Sequence, residues 1–371
     1  MRIGLFFGTF AGGGAERMMI NLAKGLSSCG NEVTIYVVNK TGVLLKEVPR
    51  SIPIHDYKAK YGARSIIHKI RDTLISHNLD ALISTQEHVN ASVALAKIGT
   101  KTNTIIIFRE ANTPNQKGYS WWRKYLYRKL YKKADHYVAV SKGVKEDLME
   151  FYKLENESIS VIYNPVVDQK MIDASKQEVT HCWLSNKDRT PVIIGMGRIH
   201  PQKGFEDLIE AFSLVQSKIK SKLIIFGSID SEEYFKSLKR QVMDLNLDQD
   251  IEFAGFIDNP YKYLSKASVF VLSSKYEGLP GVLIQAMACG CPIVSTDCPY
   301  GPKEILNGDR YGKLVEVGNA RMMADAIIET LNSPTDKAKV RERASIYSID
   351  NSVSEYLNLI HSYKNDLTVH V

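Results

Sequence analysis

Apolar residues along the chain alternate between two spacings. Short β-rich runs stand at Ile3–Gly8, Glu32–Val38, Ala81–Thr85, Thr104–Phe108, His136–Val140 and Ser158–Ile162. Between them lie stretches of helical period such as Ala15–Ser28 and Ser65–Asn78. The pattern then restarts, with strands predicted at Val192–Met196, Leu223–Phe226, Ile251–Ala254, Val269–Leu272, Pro292–Ser295 and Lys313–Val315. Helices are predicted at Phe205–Lys218, Glu232–Leu245 and Val282–Ala288. Strands alternating with helices build parallel sheets covered on both faces. The two runs are divided by a weakly patterned segment from Asn164 to Arg189, which predicts an α/β chain of two doubly wound domains. The last periodic stretch, Ile349–Ser362, has no strand after it. Doubly wound domains bind ligands beyond the carboxyl ends of their strands, so functional residues are expected just after strands.

The 371 residues are 44% apolar and 24% charged, ordinary values that exclude disordered and fibrous classes. No apolar run reaches the length of a membrane span, and the first residues run into glycines, unlike a signal peptide. The five cysteines, Cys29, Cys182, Cys289, Cys291 and Cys298, lack metal-site spacing and read as reduced packing residues, which points to the cytoplasm. Charge is uneven: residues 1–180 carry 26 Lys and Arg against 17 Asp and Glu, whereas the remainder is slightly acidic. Only the first half is expected to meet a polyanion or an anionic membrane.

Four segments carry candidate chemistry. Ala11-Gly12-Gly13-Gly14-Ala15-Glu16-Arg17 follows the first strand and opens a helix. Its backbone can approach a phosphate, or it can be a flexible turn. It matches neither a dinucleotide fingerprint nor a P-loop. After the first strand of the second half, Gly197-Arg198-Ile199-His200-Pro201-Gln202-Lys203-Gly204-Phe205 brings two cations and a helix start together, as a diphosphate requires. Tyr276-Glu277-Gly278-Leu279-Pro280-Gly281-Val282-Leu283-Ile284-Gln285 places a carboxylate, backbone amides and a side-chain amide where they can grip sugar hydroxyls and phosphate. A helix-capping charge at Glu277 and a satisfied polar Gln285 are the plainer alternative. The fourth segment, residues 121–133, holds six basic residues, five aromatics and no acid. At helical spacing Trp122, Leu126 and Leu130 fall on one side, with Lys124, Arg128 and Lys132 on the other. A membrane interface or a lipid diphosphate fits this pattern; core packing and RNA binding are the rivals.

With these segments in place, the chain resembles the retaining nucleotide-sugar glycosyltransferases of family 4, which have the GT-B fold. The resemblance runs through Gly12–Arg17, Ala134–Ser141, Ile162-Tyr163-Asn164-Pro165, Gly197-Arg198 with Lys203-Gly204-Phe205, Glu277–Pro280, Ala286–Gly290 and Ser295–Ile305. It implies two Rossmann-like domains facing across a cleft: an acceptor domain at 1–168, a nucleotide-sugar domain at 169–348, and a C-terminal helix at 349–371 that can pack back on the first. It also implies that Arg198 and Lys203 hold the donor diphosphate and that Glu277 hydrogen-bonds the donor sugar. The amides of Gly278, Leu279, Pro280–Gly281, Val282 and Leu283 would contact sugar and phosphates, with Gln285 at the ribose. Gly13, Gly14, Gly197, Gly227 and Phe256 complete the implied donor set. No metal or other cofactor is expected; the donor is expected to be a UDP-sugar. The implied acceptor is a polyprenyl-diphosphate-linked saccharide, met at the inner face of the cell membrane through residues 121–133, and nucleic acid is not an expected partner.

There are departures from the family pattern. Gln285 replaces the second glutamate of the two-glutamate motif. Phe108-Arg109-Glu110-Ala111-Asn112 stands where a histidine is common, so Arg109 and Glu110 become candidate contacts to the acceptor or the donor sugar. The glycine pair after the second strand of the nucleotide domain is reduced to Gly227-Ser228-Ile229. A GT-B sugar-nucleotide epimerase and a catalytically silent sugar-nucleotide-binding protein are the alternatives.

Overall fold

A computed structural model of the chain describes residues 1–111, 114, 118–185, 190–333 and 336–369. Two compact units emerge: residues 1–166 with 348–371, and residues 167–347.

The first unit is a seven-stranded parallel sheet in the order β3-β2-β1-β4-β5-β6-β7. Its strands are β1 (Arg2–Phe7), β2 (Glu32–Val37), β3 (Ile54–Asp56), β4 (Ala81–Thr85), β5 (Ile105–Glu110), β6 (His136–Ala139) and β7 (Ile159–Val161). The helices between them are α1 (Gly14–Ser28), α2 (Ile67–Ser76), α3 (Glu87–Lys97), α4 (Trp121–Tyr131) and α5 (Lys142–Tyr152). Strands β4 and β5 are buried along their whole length, as apolar runs covered on both faces must be. The strand order reverses between β1 and β4, so the Gly12–Gly14 turn and the β4–α3 turn meet at a switch point.

The second unit repeats the architecture with six parallel strands, β10-β9-β8-β11-β12-β13. They are β8 (Val192–Met196), β9 (Lys222–Phe226), β10 (Ile251–Gly255), β11 (Val269–Leu272), β12 (Ile293–Thr296) and β13 (Lys313–Val315). Helices α6 (Gln169–Ser175), α7 (Phe205–Gln216), α8 (Glu232–Asp244), α9 (Tyr261–Lys266), α10 (Gly281–Ala288), α11 (Pro302–Leu306), α12 (Ala320–Asn332) and α13 (Lys337–Ser345) surround it. Its switch point lies between β8 and β11.

The chain then returns to the first unit through α14 (Ile349–Val369). Val353, Tyr356 and Ile360 of α14 sit in the same core as Met19, Leu22 and Leu26 of α1. His136 of β6 secures the return: its Nδ1 lies 3.0 Å from the Tyr363 hydroxyl and its Nε2 2.9 Å from Ser160 Oγ. Burial pushes its pKa down to about 4, so the folded ring stays neutral where an unfolded one would take up a proton. Between pH 6.5 and 4 the unfolded chain therefore binds more protons, and acid drains stability, by roughly 1–2 kcal/mol after allowing for the solvent the ring still meets. Thermal melts from pH 7 to 4.5 should fall less steeply for His136→Gln than for the parent; equal slopes would refute this.

Three cysteines, Cys289, Cys291 and Cys298, are buried, but Cys29 and Cys182 are exposed and do not serve packing. Among the described residues, no helix is long and apolar enough to cross a membrane, and no group of three His, Cys, Asp or Glu could hold a metal ion.

Candidate active site

The second unit gathers its unusual residues on the two strands that flank its switch point. Beyond β8 the chain passes through Gly197 and Arg198 into a one-turn helix, Pro201–Lys203, capped by the His200 ring accepting from the Gln202 amide. Beyond β11 it passes through Ser273 and Ser274 to Glu277. The loops are stitched together by bonds of 2.8 Å from the Lys275 amide to the Gln202 carbonyl and 2.9 Å from Gln202 Nε2 to the Tyr276 carbonyl. The Ser273 hydroxyl donates to the Lys203 carbonyl at 2.7 Å. Gly204 makes the approach possible: its φ is +58°, and a Cβ there would fall 2.3 Å from the Ser273 carbonyl oxygen.

At the centre, Lys203 Nζ lies 2.6 Å from Glu277 Oε1, with side-chain exposures of only 14% and 10%. The Ser274 hydroxyl donates to the same oxygen at 2.7 Å, leaving Oε2 for a ligand. Ser274 is held in turn by Thr296, whose hydroxyl donates to the Ser274 carbonyl at 2.6 Å. The lysine stem passes beneath Gly197, where a Cβ would come within 3.0 Å of it. Helix α10 begins at Gly281, after Pro280, with no side-chain cap, so its first amides and positive dipole end lie at this turn without a side-chain acceptor. Gly301 packs on this turn; a Cβ there would stand 2.8 Å from Pro280 Cδ.

Of the expected donor residues, Lys203, Glu277, Gly197 and the Gly278–Val282 turn are thus brought together. The Leu283 amide does not join them: it donates to the Pro280 carbonyl at 3.1 Å, closing the first turn of α10 on itself. Leu279, Pro280 and Leu283 are buried, so their side chains serve packing. Gln285 is half-buried one turn further on. Arg198 is paired with Asp230 at 2.8 Å and not with Glu277. Gly227 lies where a Cβ would fall 1.7 Å from the Gly197 carbonyl oxygen, so the loops after β8 and β9 touch through two glycines. Phe256, beyond β10, is 60% exposed. Ser274 and Asp230 carry no periodic or compositional mark in the sequence, and Thr296 stands out only as part of the Ser295–Ile305 segment.

In the first unit Gly13 is the N-cap of α1, and a Cβ on it would meet Glu16 Oε2 at 2.4 Å; Gly14 has open space around it. The Gly8 amide donates to Gln86 Oε1 and Gln86 Nε2 to Glu16 Oε1, both at 2.9 Å, so Gln86 ties the glycine turn to β4.

Two expectations are corrected here. Arg109 and Glu110 do not reach the surface. Arg109 is 2% exposed, with its guanidinium donating to Thr85 Oγ1 and Asn164 Oδ1. Glu110 Oε1 accepts from Asn90 at 2.7 Å and from the Tyr131 hydroxyl. The strand is covered on both faces, and these side chains fill its buried end. Asn112 and Arg189 lie outside the described residues.

The second correction concerns α4. Its buried residues are Tyr127, Leu130 and Tyr131, whereas Trp121, Trp122, Tyr125 and Leu126 are exposed. Lys124 and Arg128 are not the outer basic side: Lys124 Nζ sits over the Phe151 ring and Arg128 Nε donates to the Phe151 carbonyl, both on α5. Lys132 is exposed. The outward face is therefore aromatic, with Arg123, Lys129 and Lys132 around it.

Two family models account for most of the chain. "Glycosyltransferase Family 4" matches residues 12–170 and "Glycosyl transferases group 1" matches residues 183–347. The chain belongs to glycosyltransferase family 4 and has the GT-B fold. It is an enzyme of the hexosyltransferase class. Among family members, the N-acetylgalactosamine-N,N'-diacetylbacillosaminyl-diphospho-undecaprenol 4-alpha-N-acetylgalactosaminyltransferase of Campylobacter jejuni is 27% identical over 365 residues, covering 92% of this chain and 95% of that one. The lipopolysaccharide 1,6-galactosyltransferase of Escherichia coli is 29% identical over 190 residues, 50% of this chain and 49% of that one. The crystal structure of Anabaena HepE with UDP and glucose superposes with a TM-score of 0.83 at 19% identity, covering 98% of this chain and all of that one.

Proposed function

We propose that the enzyme is a retaining transferase that moves a hexose or N-acetylhexosamine from a UDP-sugar to a polyprenyl-diphosphate-linked saccharide in surface polysaccharide or glycan assembly. The observation that carries this is the meeting of Lys203, Glu277 and the start of α10 at one switch point. Negative charge grows on the diphosphate as the glycosidic bond breaks, and Lys203, Arg198 and the α10 amides supply positive charge there. Glu277, with Ser274 fixing one oxygen, hydrogen-bonds the donor sugar. Gln285 faces the ribose, and Phe256 belongs to the same donor set. The glycine turn at Gly13 and Gly14 offers the backbone of the first unit to a phosphate. A diphosphate oxygen then takes the acceptor proton as the acceptor attacks from the face the diphosphate leaves. No metal ion takes part, so EDTA should leave activity unchanged. UDP donors are supported by the UDP complex of HepE, and lipid-linked acceptors by the name of the Campylobacter relative.

Thermal shift with UDP, GDP, ADP, TDP and several UDP-sugars tests the donor. UDP and one UDP-sugar should stabilise selectively; stabilisation by GDP or ADP alone would reject the uridine assignment. The chosen donor should then release UDP only with lipid-linked acceptor, with the anomeric configuration kept. Conversion of the sugar without acceptor would instead make the enzyme an epimerase.

Membrane contact in this proposal runs through the outward face of α4, with aromatic residues at the interface and Arg123, Lys129 and Lys132 over anionic headgroups. Trp121, Trp122 and Leu126 changed together to Ser should abolish sedimentation with vesicles containing phosphatidylglycerol. Lys124→Ser with Arg128→Ser should have the smaller effect. Undiminished binding of the triple variant would remove the membrane from the proposal.

A further inference from the structure

Both cations assigned to the donor diphosphate are neutralised within the second unit, but in different ways. Lys203 is half-buried, paired with Glu277, whose bonded oxygen also accepts from Ser274. Arg198 is held through one nitrogen, Nη1, by Asp230 Oδ2 at 2.8 Å, and the two side chains are 54% and 40% exposed. The contact is set by the backbone. Ile199 donates to the Ser228 carbonyl at 2.8 Å and pairs with Ile229 in a parallel bridge; the amides of Asp230 and Ser231 return to the Ile199 carbonyl at 3.3 and 3.2 Å. Ser231 then caps α8 by accepting from the Tyr234 amide. The loop after β9 is thus zipped onto the Arg198–Ile199 segment and pinned at its far end, which fixes a carboxylate beside the arginine.

We propose that Asp230 is a resident counter-ion for Arg198, displaced when the donor diphosphate arrives, so that diphosphate binding at this corner exchanges one anion for another. This rests on the assignment of Arg198 to the diphosphate. The pair is one-pronged and open to water, which makes it weak, whereas a diphosphate can engage the guanidinium fork on two sides. Once displaced, the carboxylate stays anchored close by and repels the ligand. The free nucleoside diphosphate carries more negative charge than the sugar nucleotide, so the repulsion falls harder on product than on donor. Asp230 therefore favours product release.

Calorimetric titration of the whole protein with UDP, and with GDP in parallel, tests this. Asp230→Asn should tighten diphosphate binding by about threefold to tenfold, tighten UDP-sugar less, and leave uridine unchanged. The gain should shrink in an Arg198→Ala background to the part owed to repulsion alone, since the cycle isolates the coupling between the two residues. Unchanged or weaker diphosphate binding by Asp230→Asn would overturn the proposal, as would a gain of the same size without Arg198. If Arg198→Ala alone leaves diphosphate affinity intact, the donor-site assignment itself fails, an outcome visible before the Asp230 variant is read.

Discussion

Replacing Lys203 by Ala should lower turnover by about 10²-fold or more, because it removes a charge that acts where the leaving diphosphate becomes more negative. The structure adds a second consequence. Lys203 is the near-buried partner of Glu277, and without it the carboxylate keeps only the Ser274 hydroxyl on Oε1. A partly buried carboxylate stripped of its cation is poorly compensated, so the sugar contact should loosen too. Lys203→Ala and Glu277→Ala should therefore be non-additive: the double variant should be little worse than the poorer single one. Initial rates at saturating and limiting donor, with melting temperatures beside them, check this. Rates within a fewfold of the parent, or losses that multiply, would mean that the pair does not act as a unit.

How much of this was legible beforehand follows from the physics of each residue. The long buried strands announce themselves because a run such as Ile105–Phe108 can only be covered on both faces. Strand β3 leaves no such mark, since three residues at a sheet edge, two half-buried and one exposed, are too few to show a period. Lys203 and Glu277 were visible as exceptions, charged residues on Gly- and Pro-rich turns just after strands. Their direct contact was not, since residues 74 positions apart in the chain meet only through the pairing of β8 with β11. The α4 face was misassigned for a related reason: helical spacing separates two faces without saying which one a neighbour covers. Tyr131 goes inward to stack on Tyr152 of α5, with Tyr127 buried beside it, and the tryptophans are left outside. Asp230 was invisible because only the Ile199–Ile229 bridge brings it to Arg198.

Arg109→Ala should cost the first unit about 3–5 kcal/mol, the largest stability loss expected in the enzyme. The guanidinium is fully buried at the end of β5, and burial holds its pKa below the ordinary arginine value against the opposing pull of Tyr356, Glu110 and Glu16. Its nitrogens satisfy Thr85 and Asn164, while the Tyr356 hydroxyl stands beside it without reaching hydrogen-bond geometry. Truncation leaves two buried acceptors without donors and opens a cavity where β4, β5, the Asn164-Pro165 turn and α14 converge. Arg109→Met fills most of that volume and also removes a buried charge that has no carboxylate bonded to it, so it should lose less than Arg109→Ala. The order separates a packing role from an acceptor contact. An acceptor contact would leave the melting temperature near the parent's in both variants and raise KM for the lipid-linked acceptor equally. A structural arginine gives a melting temperature lowered by on the order of 10 °C in Arg109→Ala, partial recovery in Arg109→Met, and an unchanged acceptor KM in whatever fraction remains folded.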